Sequence, residues 1–179
     1  MLAYLLILLA VLTRVLPHAG WWNFTAVTAA LLFFGARRPW REVLVPVAVL
    51  IAADYYLTAF VYHYPFQWQA YVITWMWYAM AIVLGQILLH AKTTFVRGAA
   101  AAILGPTSFF VVSNFAVWAS GFNGYPYTLG GLATCYLAAI PFYRNDLIAT
   151  SLVLAGAFAL EALLQRMREP RGSVALAGK

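Results

Sequence analysis

Charge is what this chain has least of. Only 9% of its 179 residues are Asp, Glu, Lys or Arg, and only five are acidic. Five carboxyl groups leave little for general acid–base chemistry or for a proton relay. Cysteine is nearly absent too: Cys135 stands alone in an apolar stretch, which excludes an internal disulfide. His18, His63 and His90 are scattered, so no metal cage is expected. The run GAAAAILGPT from Gly98 has no lysine after its second glycine, which excludes a phosphate-binding loop and ATP hydrolysis by that route. Neither a nucleophile elbow nor an HExxH pattern occurs, and no enzyme activity and no cofactor are expected.

Apolar side chains dominate instead. They make up 65% of the chain, and the mean hydropathy is +0.83. A soluble domain of this size still exposes much of its surface and cannot hide so much apolar area. The composition therefore predicts an all-α integral membrane protein. The net charge of +6 does not point to nucleic acid, because the eleven basic residues are scattered among loops. Their distribution is topological, since Lys and Arg collect in short cytoplasmic loops. The first seventeen residues have the hydrophobicity of a signal peptide. They lack a basic leading region and a small-x-small site before Gly20, so an uncleaved helix is expected.

Seven apolar segments follow one another: 1–16, 22–35, 43–61, 70–90, 98–119, 128–142 and 147–166. If all seven crossed, the Lys and Arg residues other than Arg14, which lies within the first segment and is left out of both counts, would divide into six inside and four outside. If 128–142 enters from outside and returns, nine lie inside (Arg37, Arg38, Arg41, Lys92, Arg97, Arg166, Arg168, Arg171 and Lys179) and only Arg144 outside. The second threading obeys the positive-inside rule. It has six transmembrane helices, a re-entrant segment and both termini cytoplasmic. Residues 1–167 form the transmembrane helical domain, and 168–179 a flexible cytoplasmic tail. Gly130 and Gly131 at the start of 128–142 and Pro141 at its end fit a broken element lining a cavity. A short seventh crossing is the alternative.

In the six-crossing threading the outer loops gather Trp21, Trp22, Tyr62, Tyr64, Phe66, Trp68, Phe122, Tyr125, Tyr127, Phe142 and Tyr143. An interfacial belt would place aromatics at both faces, whereas the cytoplasmic loops hold chiefly Trp40 and Phe95. The asymmetry suits a small-molecule pocket. Below it, Arg14, Asp54 and Asn114 lie about 20, 18 and 24 Å from the cytoplasmic ends of their helices by helical rise. Intramembrane charges seek partners, so an Arg14–Asp54 pair is expected, either as the floor of a ligand site or as a pair fixing helix register. Asn23 is a candidate cap for the second helix, and Asn145 or Asp146 for the last. Arg144 can meet an anionic group. Ala26 and Ala30, like Ala48 and Ala52, are spaced as small-residue faces that let helices approach closely.

Trp22-Asn23-Phe24-Thr25, followed by Ala29, Ala30, Leu31, Phe33 and Gly35, resembles the opening of a family of uncharacterised bacterial membrane proteins described as transport proteins. Asp54, Ser108-Phe109, Asn114-Phe115, Trp118, and Gly131 through Tyr136, Ala139, Pro141-Phe142 and Asn145 extend the resemblance to about Met167. That family is similar to the substrate-binding S components of energy-coupling factor transporters. Those are six-helix proteins that capture vitamins and work with a transmembrane coupling subunit and two ATPases. The resemblance implies a substrate-binding subunit in a bacterial cytoplasmic membrane, taking up a small vitamin-like or ring-containing nutrient. It also implies that Ala26 and Ala30 dock the coupling subunit. Biotin does not follow, because the lysine that would accompany Pro141-Phe142 and Asp146 is absent. Two other readings remain open: an assembly subunit of a larger membrane complex, and an intramembrane enzyme acting on a lipid or isoprenoid with Asp54 as acid or base.

Overall fold

The computed structural model describes residues 1–16, 23–121 and 123–168. His18, Trp21, Trp22, Phe122 and the tail from Glu169 onward lie outside them. Among the described residues there is no strand; six α-helices follow in order. They are α1 (Leu2–Val15), α2 (Val27–Arg37), α3 (Leu44–Tyr56), α4 (Val72–Leu89), α5 (Phe95–Ser120) and α6 (Leu129–Arg168). Tight helical turns at Trp40–Glu42 and Trp68–Tyr71 lead into α3 and α4, and a wide turn at Leu57–Val61 extends α3. Four stretches, Trp40–Val61, Trp68–Leu89, Phe95–Ser120 and Leu129–Arg168, are long and apolar enough to cross a membrane. The chain therefore has the build of a membrane protein. The other two helices, α1 and α2, are shorter, at 14 and 11 residues.

The short helix α2 is the axis of the bundle. Every residue from Val27 to Ala36 is buried, because α1, α4, α5 and α6 all pack on it. A helix apolar on all sides needs such a surround. Its closest neighbour is α4, and glycine makes the approach possible from both sides. A Cβ on Gly35 would collide with the Ile82 carbonyl, and one on Gly85 with the Leu32 carbonyl. This placement corrects the docking assignment of Ala26 and Ala30. They are 1% and 0% exposed, so their small faces admit the chain's own helices and offer nothing to a partner.

Helix ends converge according to charge. Arg37 at the end of α2 grips Glu161 of α6 with two bonds of 2.7 Å, between the rings of Phe33 and Phe158. Tyr4 at the start of α1 meets Glu42, and Arg38 donates to Glu42 at 2.6 Å. The starts of α1, α3 and α5 and the ends of α2, α4 and α6 therefore share one end. That end holds Arg37, Arg38, Arg41, Lys92, Arg97, Arg166 and Arg168, leaving only Arg14 and Arg144 elsewhere among the described residues. Arg37→Lys keeps the charge but loses the fork and the flat stacking. A loss of about 1 kcal/mol is expected, read from a chemical-denaturation midpoint.

The last third of the chain departs from expectation. Residues 128–142 neither turn back nor form a separate crossing; they begin α6, one helix of 40 residues, about 60 Å long by helical rise. Gly131 sits in its first turns because the Pro126 carbonyl packs where a Cβ would stand. Pro141 gives up one backbone bond without ending the helix. Tyr143-Arg144-Asn145-Asp146 consequently lies in mid-helix, where Tyr143 meets Thr107, midway along α5, at 2.9 Å. Asn145 and Asp146 cap nothing. A single pass of α6 still brings the chain back to the end where α1 starts.

Candidate functional site

Two polar clusters are buried in the bundle. The first joins α1, α3 and α4. Arg14, in the last turn of α1, donates to Asp54 Oδ1 at 2.5 Å and to the Tyr78 hydroxyl at 3.1 Å. Trp75 Nε1 donates to Asp54 Oδ2 at 2.9 Å, and the Tyr78 hydroxyl lies 3.2 Å from the same oxygen. The Asp54 side chain is fully buried. The expected pair thus exists, but both carboxylate oxygens are taken by the protein's own donors. Above it, Phe66, Tyr71 and Trp75 stack at 5.3 and 5.9 Å, and Tyr55 meets Phe66 edge-on at 5.1 Å. Much of this aromatic loop closes on itself, while Tyr62 and Trp68 stay exposed.

Asn114 does not join that layer. It lines a separate cavity of about 210 Å³ between α5 and α6, together with Asn23, Ser113, Tyr143 and Asp146. Phe109, Phe110 and Phe142 supply its apolar walls. Asn23 is not a cap. The helix begins at Val27, and the Ala26 N–H is satisfied by the Thr13 hydroxyl at 3.1 Å. Asn23 instead adopts the left-handed conformation (φ 61°) that asparagine tolerates, at the mouth of α2. Asp146 is buried, and its Oδ1 accepts from the Thr28 hydroxyl at 3.0 Å and the Thr150 hydroxyl at 3.1 Å.

The remaining expected site residues are dispersed. Tyr127 is exposed, leans on Trp118 with ring centres 5.9 Å apart, and covers Gly121. Tyr125 is half-buried in the same loop, and Asn145 is buried on α6. Arg144 is exposed on α6 and forms no ion pair among the described residues. Trp22 lies outside the described residues. Ser113 lines the cavity and Thr28 holds Asp146 without having stood out in sequence, where hydroxyls on apolar helices look like ordinary packing. A larger hollow of about 460 Å³, beside Gly98, Ala102, Leu154 and Phe158, is apolar apart from Thr93, Thr94 and Ser151. It lacks converging polar groups of the kind that fix a ligand.

Long apolar helices enclosing buried charged clusters define a helical membrane protein. This chain belongs to a family of unknown function (DUF6580), whose profile matches residues 1–171. No curated protein and no solved structure matches it.

Proposed function

We propose that this protein is a membrane-embedded substrate-binding subunit, working in the manner of the S components and energised by a separate coupling subunit with ATPases. In this reading all six helices cross a bacterial cytoplasmic membrane and both termini are cytoplasmic. The clustering of seven basic residues at one end of the bundle supports that orientation. The ligand is a small ring-containing nutrient. The observation that carries the reading is the cavity of about 210 Å³, where a buried carboxylate and two amides converge between aromatic walls. That mixture of apolar walls and few polar groups is typical of small-molecule sites.

The intramembrane-enzyme reading loses ground, because Asp54 is enclosed by Arg14, Trp75 and Tyr78 and has no oxygen open to a substrate. The test is the melting temperature of the purified protein against a panel of vitamins, nucleobases and their precursors. A ligand at 100-fold its dissociation constant adds about 2.7 kcal/mol. Asp146→Asn is expected to abolish that gain. A stabilisation that survives Asp146→Asn unchanged would move the site elsewhere. No stabilisation by any compound, with a stoichiometric membrane partner instead, would favour the assembly-subunit reading.

A further inference from the structure

The polar lining of the cavity is unbalanced in charge and in hydrogen-bonding sense. Glu42, Asp54 and Glu161 each face an arginine at 2.5 to 2.7 Å. Asp146 is the one acidic residue among the described residues outside an ion pair, and its partners are the neutral hydroxyls of Thr28 and Thr150. Arg144 cannot neutralise it. Two helical positions apart is about 200° of rotation, and Arg144 is exposed on α6 while Asp146 is buried. The threonines hold Oδ1, and Oδ2 has only a long 3.3 Å contact from Thr28.

The neighbouring groups have already spent part of their donor capacity. The Ser113 hydroxyl donates to the Phe109 carbonyl at 2.6 Å, and the Asn114 amide nitrogen donates to the Phe110 carbonyl at 2.8 Å. Lone pairs on Asp146 Oδ2, the Asn114 side-chain oxygen and Ser113 Oγ remain for a ligand, with the second Asn114 N–H and the Asn23 amide as the N–H sources. Such a lining calls for donors. A buried carboxylate is most favoured when a cation meets it, and the faces of Phe109 and Phe110 also attract positive charge.

From this juxtaposition of an unpaired carboxylate, acceptor-rich amide and hydroxyl groups and aromatic walls, we infer that the cavity takes a small organic cation: a protonated nitrogen, ammonium or amidinium, carried on a single ring. The inference rests on the proposed binding function and narrows it to a charge class.

The test needs no knowledge of the natural ligand. In the full-length protein, Ser113→Cys is placed in a Cys135→Ser background, and three methanethiosulfonate reagents are compared. One carries an ethylammonium, one a neutral alkyl group and one an ethylsulfonate. Rates are divided by those of a free thiol, which cancels intrinsic reactivity, and the ratios between reagents cancel any change in the thiol itself. The ammonium reagent is expected to react about tenfold faster than the neutral one, and the sulfonate slower still. Adding Asp146→Asn should bring the three rates together. Equal rates, or a preference for the sulfonate, would overturn the cationic class while leaving a small-molecule cavity in place. No reaction with any reagent in a folded protein would mean a closed cavity and would sink the binding reading with it. If Ser113→Cys does not fold, Asn114→Cys provides the same readout from the same wall.

Discussion

Asp54→Ala is expected to destabilise the purified protein by about 3–5 kcal/mol, the usual result of removing one partner of a buried ion pair. The reason lies in what would be left behind. Arg14 would keep its charge inside the bundle, and Trp75 Nε1 and the Tyr78 hydroxyl would lose the carboxylate they now share. Three helices, α1, α3 and α4, are tied at this one side chain. Removing both charges together, in Arg14→Leu with Asp54→Leu, should cost less than Asp54→Ala alone, because no orphan charge remains. Denaturation midpoints of the three proteins in one detergent make the comparison. Should Asp54→Ala cost under about 1 kcal/mol and yet abolish ligand stabilisation, the cluster would be a binding site and not a register-fixing knot.

Gly85→Ala is expected to be nearly as damaging, at about 3 kcal/mol, by forcing α2 and α4 apart. Its Cβ would run into the Leu32 carbonyl, which is backbone and cannot rotate away. Gly35→Ala should behave alike, since the same contact is made in reverse at Ile82. Gly156→Ala is the matched control. A Cβ there meets nothing, and a mid-helix glycine costs about 1 kcal/mol relative to alanine, so this change should stabilise. Equal midpoints for Gly85→Ala and Gly156→Ala would show that the α2–α4 contact is not a tight one.

Several features were readable without coordinates. Composition and hydropathy announce a helical membrane protein, and five of the six helices fall within a few residues of the apolar segments. The Arg14–Asp54 pair followed from the cost of isolated charge at similar depths. These properties are legible because hydropathy, helical rise and the demand for a counter-charge are local or additive along the chain.

Other features depended on which helix faces meet, and no local signal reports that. Gly130, Gly131 and Pro141 read as breaks, yet α6 runs through all three, because a helix satisfies its own backbone and Gly131 was needed for packing on Pro126. Ala26 and Ala30 carried a docking signature that the bundle uses internally. Asn114 has the right depth for the Arg14 layer but faces Asp146 on another side of the fold. Asp146 itself looked like a cap. It became a buried, unpaired carboxylate only through Thr28, 118 residues earlier in the chain. The sequence by itself determined that the chain is built of apolar helices long enough to cross a membrane and that Arg14 and Asp54 must find a partner. Tertiary structure alone decided which carboxylate stays outside an ion pair, because that depends on the rotation of each helix against its neighbours.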